Sequence, residues 1–206
     1  MRDNLRIRRG AVGDTGTIIG LIDEAAHWLH DQGTDQWAEP WPSRPARDGR
    51  VRRGLRNGHT WIAEAGTQAI ATMTYRQYGN QKLWTAQEQR EPAVYVSRLI
   101  VARSAAGLGV GAAMVDWAAA QAQRDWAAQW IRIDVWTTNI ALHDYYKKTG
   151  FRFCRIADFD EADFPVEVYP SAALFQKPTS EIDLAAASSL GIDSGGCKEL
   201  VGAARA

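Results

Sequence analysis

The sequence predicts an α/β (α+β) fold. Three observations carry that prediction. Strand-like segments, apolar on alternate residues or throughout, recur between Leu5 and Lys177. Apolar residues at three- and four-residue steps mark helices between several of them. With 206 residues, the chain suits one medium domain with a short appendage.

The elements follow in order. Leu5, Ile7 and their basic neighbours alternate as a strand with one buried face. Ile18, Leu21, Ile22, Ala25, Ala26 and Leu29 form one stripe of a helix over residues 15–30, with Asp14 as N-cap. Prolines and glycines in "DQGTDQWAEPWPSRPARDG" break it, and a short basic helix is expected over residues 50–56. "TWIAEA" and "QAIATMTYRQY" read as an antiparallel hairpin turning at Gly66 and Thr67, and residues 79–92 as a polar loop. Residues 93–102, rich in β-branched and apolar side chains, suit a central strand covered on both faces. After the loop "RSAAGLGVGAAM", the stripe Ala112, Val115, Ala119, Ala122 and Trp126 marks a helix reaching about Gln129. "IRIDVW" is a strand, residues 139–149 a helix closed by Gly150, "FRFCRIA" a strand, and residues 172–177 a last short strand after an acidic loop. Residues 1–178 are thus expected to form the domain, and the Ala, Ser and Gly-rich residues 179–206 a flexible tail.

Lys+Arg and Asp+Glu both number 24, which argues against nucleic acid or an anionic membrane as partner. The cysteines, Cys154 and Cys197, lack metal-type spacing, the first residues lack an apolar signal core, and no long apolar run occurs. A cytoplasmic protein with reduced thiols is expected, Cys154 in its core. Nine tryptophans fill a core or line a pocket for a small organic ligand.

Gly107, Gly109 and Gly111, placed ahead of a helix, let the backbone turn tightly and present bare N–H groups, so an anion is the natural guest. Gly107, Gly109 and Ala112 formally fit a dinucleotide fingerprint with Asp134 downstream. Against it, Gly107 comes six positions after Val101 and Asp134 falls inside its strand. No lysine follows Gly111, which closes the Walker option. A turn that merely lets the helix pack closely stays open.

Read together, "RLIVARSAAGLGVGAAM", "IRIDVWTTN" and "NIALHDYYKKTGF" resemble the GNAT family of acetyl-CoA-dependent N-acetyltransferases, whose pattern is R/Q-x-x-G-x-G/A and then N-x-x-A-x-x-L-Y-x-x-x-G-F. Asn139, Leu142, Tyr145, Tyr146, Gly150 and Phe151 stand in that register. The resemblance implies the GNAT fold, a mixed, mostly antiparallel central sheet of six to seven strands flanked by about four helices. It implies acetyl-CoA as acyl donor, its pyrophosphate cradled by Ala106, Gly107, Leu108, Gly109, Val110, Gly111 and Ala112. Main-chain groups of Leu99 and Val101 would pair with the pantetheine arm, and Ile100 would polarise the thioester carbonyl. Tyr146 would give a proton to the departing thiolate, and Asn139 would contact the pantetheine or cap its helix. Tyr145 is read as a packing residue.

Two positions depart from the family pattern: Ala106 stands where Arg or Gln is usual, and Ser97 where many relatives carry a glutamate base. A water relay at Ser97 and the carboxylates Asp35, Glu39, Glu88 and Glu91 stay open as the base. Trp28 and Trp37, with Asp35 and Glu39, are the expected substrate-binding residues. With Trp41, Trp61 and the acidic residues Asp158, Asp160, Glu161, Asp163 and Glu167, they suggest a cationic amine with an apolar body. His27, His30, Glu24 and Asp31 supply one helix's ligands, so no metal is expected; His59 and His143 are expected at the surface. The expected reaction is N-acetylation of a small-molecule primary amine by direct attack in a ternary complex. A catalytically weak acyl-CoA-binding sensor, a dinucleotide-dependent oxidoreductase and assembly as a homodimer remain open.

Overall fold

The computed structural model describes residues 5–40, 42–158, 170–183 and 191–192. Its strands are β1 (Leu5–Arg9), β2 (Thr60–Ala65), β3 (Gln68–Arg76), β4 (Ala93–Val101), β5 (Trp130–Val135), β6 (Arg152–Ile156), β7 (Ala173–Pro178) and the two-residue β8 (Gly191–Ile192). They form one sheet in the order β6-β7-β5-β4-β3-β2-β1-β8. Only β4/β5 and β1/β8 run parallel. The helices are α1 (Thr15–Asp31), α2 (Arg44–Arg56), α3 (Ala86–Arg90), α4 (Val110–Trp126) and α5 (Ile140–Lys148). The sheet is mixed and mostly antiparallel, as expected, with a fifth short helix added. The tail beyond Pro178 is not wholly irregular: Thr179–Glu181 forms a 3-10 turn and Gly191–Ile192 pairs with β1.

Alternation along the strands sends residues to the two faces of the sheet. Ile7, Trp61, Met73, Val94, Ile131 and Phe175 pack with Met114, Trp117 and Ala118 of α4. On the opposite face Ile62 and Ile100 pack with Ile18, Leu21 and Ile22 of α1 and Val51 and Leu55 of α2. Helix α4 is buried well beyond the stripe read from the sequence, because small alanines let it press against the sheet. It stops at Trp126, short of Gln129, because Ala127 turns left-handed at φ +53°.

Three local features differ from expectation for identifiable reasons. Helix α2 starts at Arg44, since Ser43 caps it through the Ala46 N–H (3.4 Å) and proline is at home in a first turn. Asp14 precedes α1 but caps nothing there: its carboxylate takes the Arg8 guanidinium (2.8 and 2.9 Å) and the Ala11 N–H (2.7 Å). The supposed loop 79–92 holds α3, opened by a Thr85–Glu88 capping box.

Two sheet arginines anchor that segment. Arg132, fully buried, donates to the Glu88 carbonyl (2.5 Å), to the Tyr95 hydroxyl (3.1 Å) and to Glu91, with Trp84 beneath its guanidinium. Arg155 donates to both Glu88 oxygens (2.7 and 2.8 Å). Together with the Thr85 N–H and hydroxyl, Arg155 holds the Glu88 carboxyl down to about 2. A carboxyl depressed from 4.5 stabilises the fold above its unfolded range, and that contribution is lost as pH falls through the folded value. Glu88→Gln is therefore expected to cost about 1–2 kcal/mol at pH 7 in denaturant unfolding. The difference from wild type should shrink as pH is lowered from 4.5 towards 2, whereas a pH-independent difference would rule out the charge as its source.

Candidate active site

Strands β4 and β5 pair through four residues, Ala93 to Val96 against Trp130 to Ile133, and then separate. Beyond Val96, β4 continues to Val101 with β3 on one side and an open edge on the other. A β-bulge lies at the parting: Thr72 pairs with Ile100 and Thr74 with Ser97, so Arg98 and Leu99 together oppose Met73. Arg98 takes φ +50°, a conformation that costs an arginine about 1 kcal/mol or more. Its Nη2 donates to Thr74 Oγ1 (3.2 Å).

The bulge fixes which main-chain groups face the opening. The Ala102 N–H donates to Ile70 O of β3 (2.7 Å), so by two-residue alternation Ile100 also faces β3. This corrects the expectation for Ile100: the groups turned to the opening are those of Leu99 and Val101.

At the C-terminal end of β4, residues 103–105 make one 3-10 turn, and Gly107 (φ +76°) and Gly109 (φ +78°) take left-handed conformations that lead into α4. The first helical bond runs from Ala113 N–H to Gly109 O (3.0 Å) and leaves the N–H groups of Val110, Gly111 and Ala112 without intrahelical acceptors. A cavity of about 1000 Å³ joins this loop to the open β4 edge. Of the loop residues 106–112 all line it except Leu108, which is 41% exposed. The dipole of the 17-residue α4 points its positive end into the cavity.

Helix α5 forms the opposite wall. Asn139 caps it through the Leu142 N–H (3.0 Å) and donates to Gln36 Oε1 (2.7 Å). His143, expected at the surface, is buried against Phe175 with Nε2 2.9 Å from Trp136 O. Facing a carbonyl, that nitrogen must carry the proton. Tyr146 lines the cavity, its ring packed by Phe151, Phe175 and Tyr145. Burial, reinforced by Tyr145 and Asp134, pushes its phenol well above the usual tyrosine range, so the hydroxyl keeps its proton at neutral pH. Tyr145, read as packing, lines the cavity as well; a β-carbon on Gly111 would lie 3.4 Å from its hydroxyl.

The expected substrate residues separate into two groups. Trp28, Trp37 and Glu39 line the cavity. Asp35 does not: it accepts from Trp136 Nε1 (3.0 Å) and Thr138 Oγ1 (2.8 Å), bonds that hold its pKa down and tether the α1–α2 loop to the β5–α5 turn. Glu88 and Glu91 are committed to Arg155 and Arg132. Trp61 packs in the core, stacked on Tyr75 and edge-on to Trp117. Trp41, Asp160, Glu161, Asp163 and Glu167 lie outside the described residues, as does Cys197, while Asp158 is exposed. Cys154 is half-buried, its thiol pushed up by burial.

Ser97 lines the cavity just past the parting of the strands, and its buried Oγ has no hydrogen-bond partner. Asp134 of β5 lines the cavity one residue past Ile133, as Ser97 follows Val96. The sequence reading passed over Asp134 as a base, because the point where β5 leaves β4 is visible only once the two strands are paired. Arg103 was also missed: its guanidinium sits 3.9 Å over the Trp28 ring at the loop end of the cavity, and its N–H donates to Glu24. Among the described residues no cluster of three or more potential ligands could hold a metal, and no helix is long and apolar enough to cross a membrane.

Comparison with known proteins agrees with this arrangement. The chain is 27% identical over 143 residues, 68% of its length and 77% of the relative's, to an uncharacterized N-acetyltransferase, YesJ, of Bacillus subtilis (strain 168). Its fold is similar to that of a GNAT family acetyltransferase from Listeria monocytogenes (TM-score 0.64, 21% identity, 84% of this chain and 94% of that one). It is also similar to the PaiA N-acetyltransferase from Thermoplasma acidophilum in complex with coenzyme A (TM-score 0.62, 15% identity, 84% and 98%). Residues 22–151, which span the split strands, the glycine loop and the tyrosine helix, match the Acetyltransferase (GNAT) family, and the chain belongs to that family.

Proposed function

We propose that this protein transfers an acetyl group from acetyl-CoA to the primary amine of a small molecule, by direct attack in a ternary complex. The observation that carries the reading is one continuous cavity bounded by the anion-accepting loop, the open edge of β4 and a protonated tyrosine. When bound, acetyl-CoA supplies the thioester carbon that the amine attacks.

The chain's own groups then divide the work. N–H groups of the loop and of the first turn of α4 receive the pyrophosphate, and Arg103 supplies the positive side chain that Ala106 lacks. Leu99 and Val101 pair with the pantetheine as an added strand, and the Leu99 N–H, within the bulge, polarises the thioester carbonyl. The amine nitrogen forms its bond to the acetyl carbon as the carbon–sulfur bond breaks, and Tyr146 gives its proton to the sulfur. The proton lost by the amine passes through water held at Ser97 Oγ to Asp134 across the split. Ser97, a weak base in itself, also supports a second reading, an acyl-CoA-binding protein with little turnover.

Thiol release from acetyl-CoA in the presence of amines separates the two. Tyr146→Phe is expected to lower kcat roughly 100-fold while thermal stabilisation by acetyl-CoA persists. Unchanged thiol release in that variant would remove the proton-donor role. Gly107→Ala meets no atom within 4 Å but must hold φ +76°. It should cost about 1 kcal/mol of stability and weaken the stabilisation by acetyl-CoA, read by thermal shift.

A further inference from the structure

The charge on the cavity wall opposes the cationic acceptor expected from the tryptophans and the acidic run. Six arginines, Arg47, Arg50, Arg53, Arg76, Arg98 and Arg103, line the cavity against two carboxylates, Glu39 and Asp134, among the described residues. Arg47 pairs with Asp23 (2.6 Å) and Asp48 (2.8 Å), and Arg103 lies on Trp28 at the loop end. The other four gather where α2 crosses β3 and β4.

Arg50, Arg53, Gly54 and Asn57 recur at helical spacing, so one face of α2 looks into the cavity. Gly54 lets that face lie close to the sheet: a β-carbon there would sit 2.7 Å from Thr60 Oγ1 and 3.5 Å from Arg98 Nη2. Across from α2 stands Arg76 at the end of β3. Its Nε is buried without a hydrogen-bond partner, an unmet donor in the wall of a cavity. The neighbouring His59 is pushed below the usual histidine range by burial and by the charges of Arg76 and Arg9.

The donor's pyrophosphate is out of reach of Arg76. Arg76 is in register with Tyr95, six residues before Val101, a strand length of roughly 20 Å. What Arg76, Arg98 and Arg53 can meet is the acceptor, and guanidinium groups suit planar or tetrahedral oxyanions.

Resting on the acetyltransferase reading, we infer that Arg53, Arg76 and Arg98 form an oxyanion subsite, so that the amine acceptor carries a carboxylate or phosphate group. The subsite holds the acid end while the amine reaches the thioester beside Ser97. Trp37 lines the same cavity and offers an apolar surface to the body of the acceptor.

The test is a matched panel: 3-aminopropionate and phenylalanine for carboxylates, 2-aminoethyl phosphate for phosphates, the two carboxamides, and 1,3-diaminopropane. Thiol release should favour the acids over their amides by at least tenfold in kcat/KM, and comparing the carboxylates with the phosphate tells which oxyanion is held. Arg76→Gln should raise KM for the favoured acid roughly 10- to 100-fold, with KM for acetyl-CoA within twofold of wild type. Arg53→Gln, on an exposed part of α2, is the second variant should Arg76→Gln fold poorly. Equal turnover of acids, amides and diamine would overturn the subsite and leave the acetyltransferase reading standing. Absence of thiol release with every amine would remove that reading. Thermal stabilisation of the protein loaded with coenzyme A then decides the subsite: stabilisation by the acids, absent with the amides and lost in the variants, supports it, and its absence overturns it.

Discussion

The parting of β4 from β5 after the Val96–Ile133 pair is the constraint on which the rest of the structure depends. A parallel ladder left incomplete would expose main-chain donors and acceptors in the interior, at a cost of a few kcal/mol per unpaired group. The chain meets that cost by making the opening a cavity that a ligand can enter. The bulge at Arg98 and Leu99 keeps β4 paired with β3 on its other side while β5 turns away. The glycine loop sits at the mouth because β4 ends there and α4 must start at once to cover the sheet.

Polar ties hold the opening in shape from outside. Asn139 with Gln36, and Asp35 with Trp136 and Thr138, join the α1–α2 loop to the β5–α5 turn across the top of the cavity. Arg132 and Arg155 secure α3 at the far end of β4, where the strands still pair. The carboxylates that look reactive in the sequence are thus largely consumed in fastening one element to another. The charge that remains on the described wall of the cavity is mostly positive.

Much of the fold was legible because its signals are local. Periodicity placed α1 within a residue, Gly150 at φ +90° closed α5 as read, and β4 stood out as an apolar, β-branched run. The glycine loop and the tyrosine helix were legible as a joint motif. Other features depend on which residues meet in space. Nothing local says that Asp35 will find Trp136, a hundred and one positions away, or that His143 will be buried on Phe175. The extra residue of the bulge is visible only once β3 is laid beside β4, and so the roles of Ile100 and Leu99 could not be told apart in advance. Arginines on α2, β3 and β4 look like ordinary surface charge until the fold turns them into one space. Two local signals were simply available and unread: Ser43 with Pro45 at the start of α2, and the Thr85–Glu88 box.

Because four residue pairs join β5 to β4, the sheet is two panels sharing a short seam. One panel carries β1 to β4 with the arginine-lined face; the other carries β5, β6 and β7 with the helix that bears Tyr146. On the proposed reading, a donor lying along β4 stands in for the missing length of β5, so the substrate completes the architecture of the protein that consumes it. Such a molecule has its stiffest form only while loaded, and its slackest when product has gone. The seam is then the place where turnover and rigidity are exchanged.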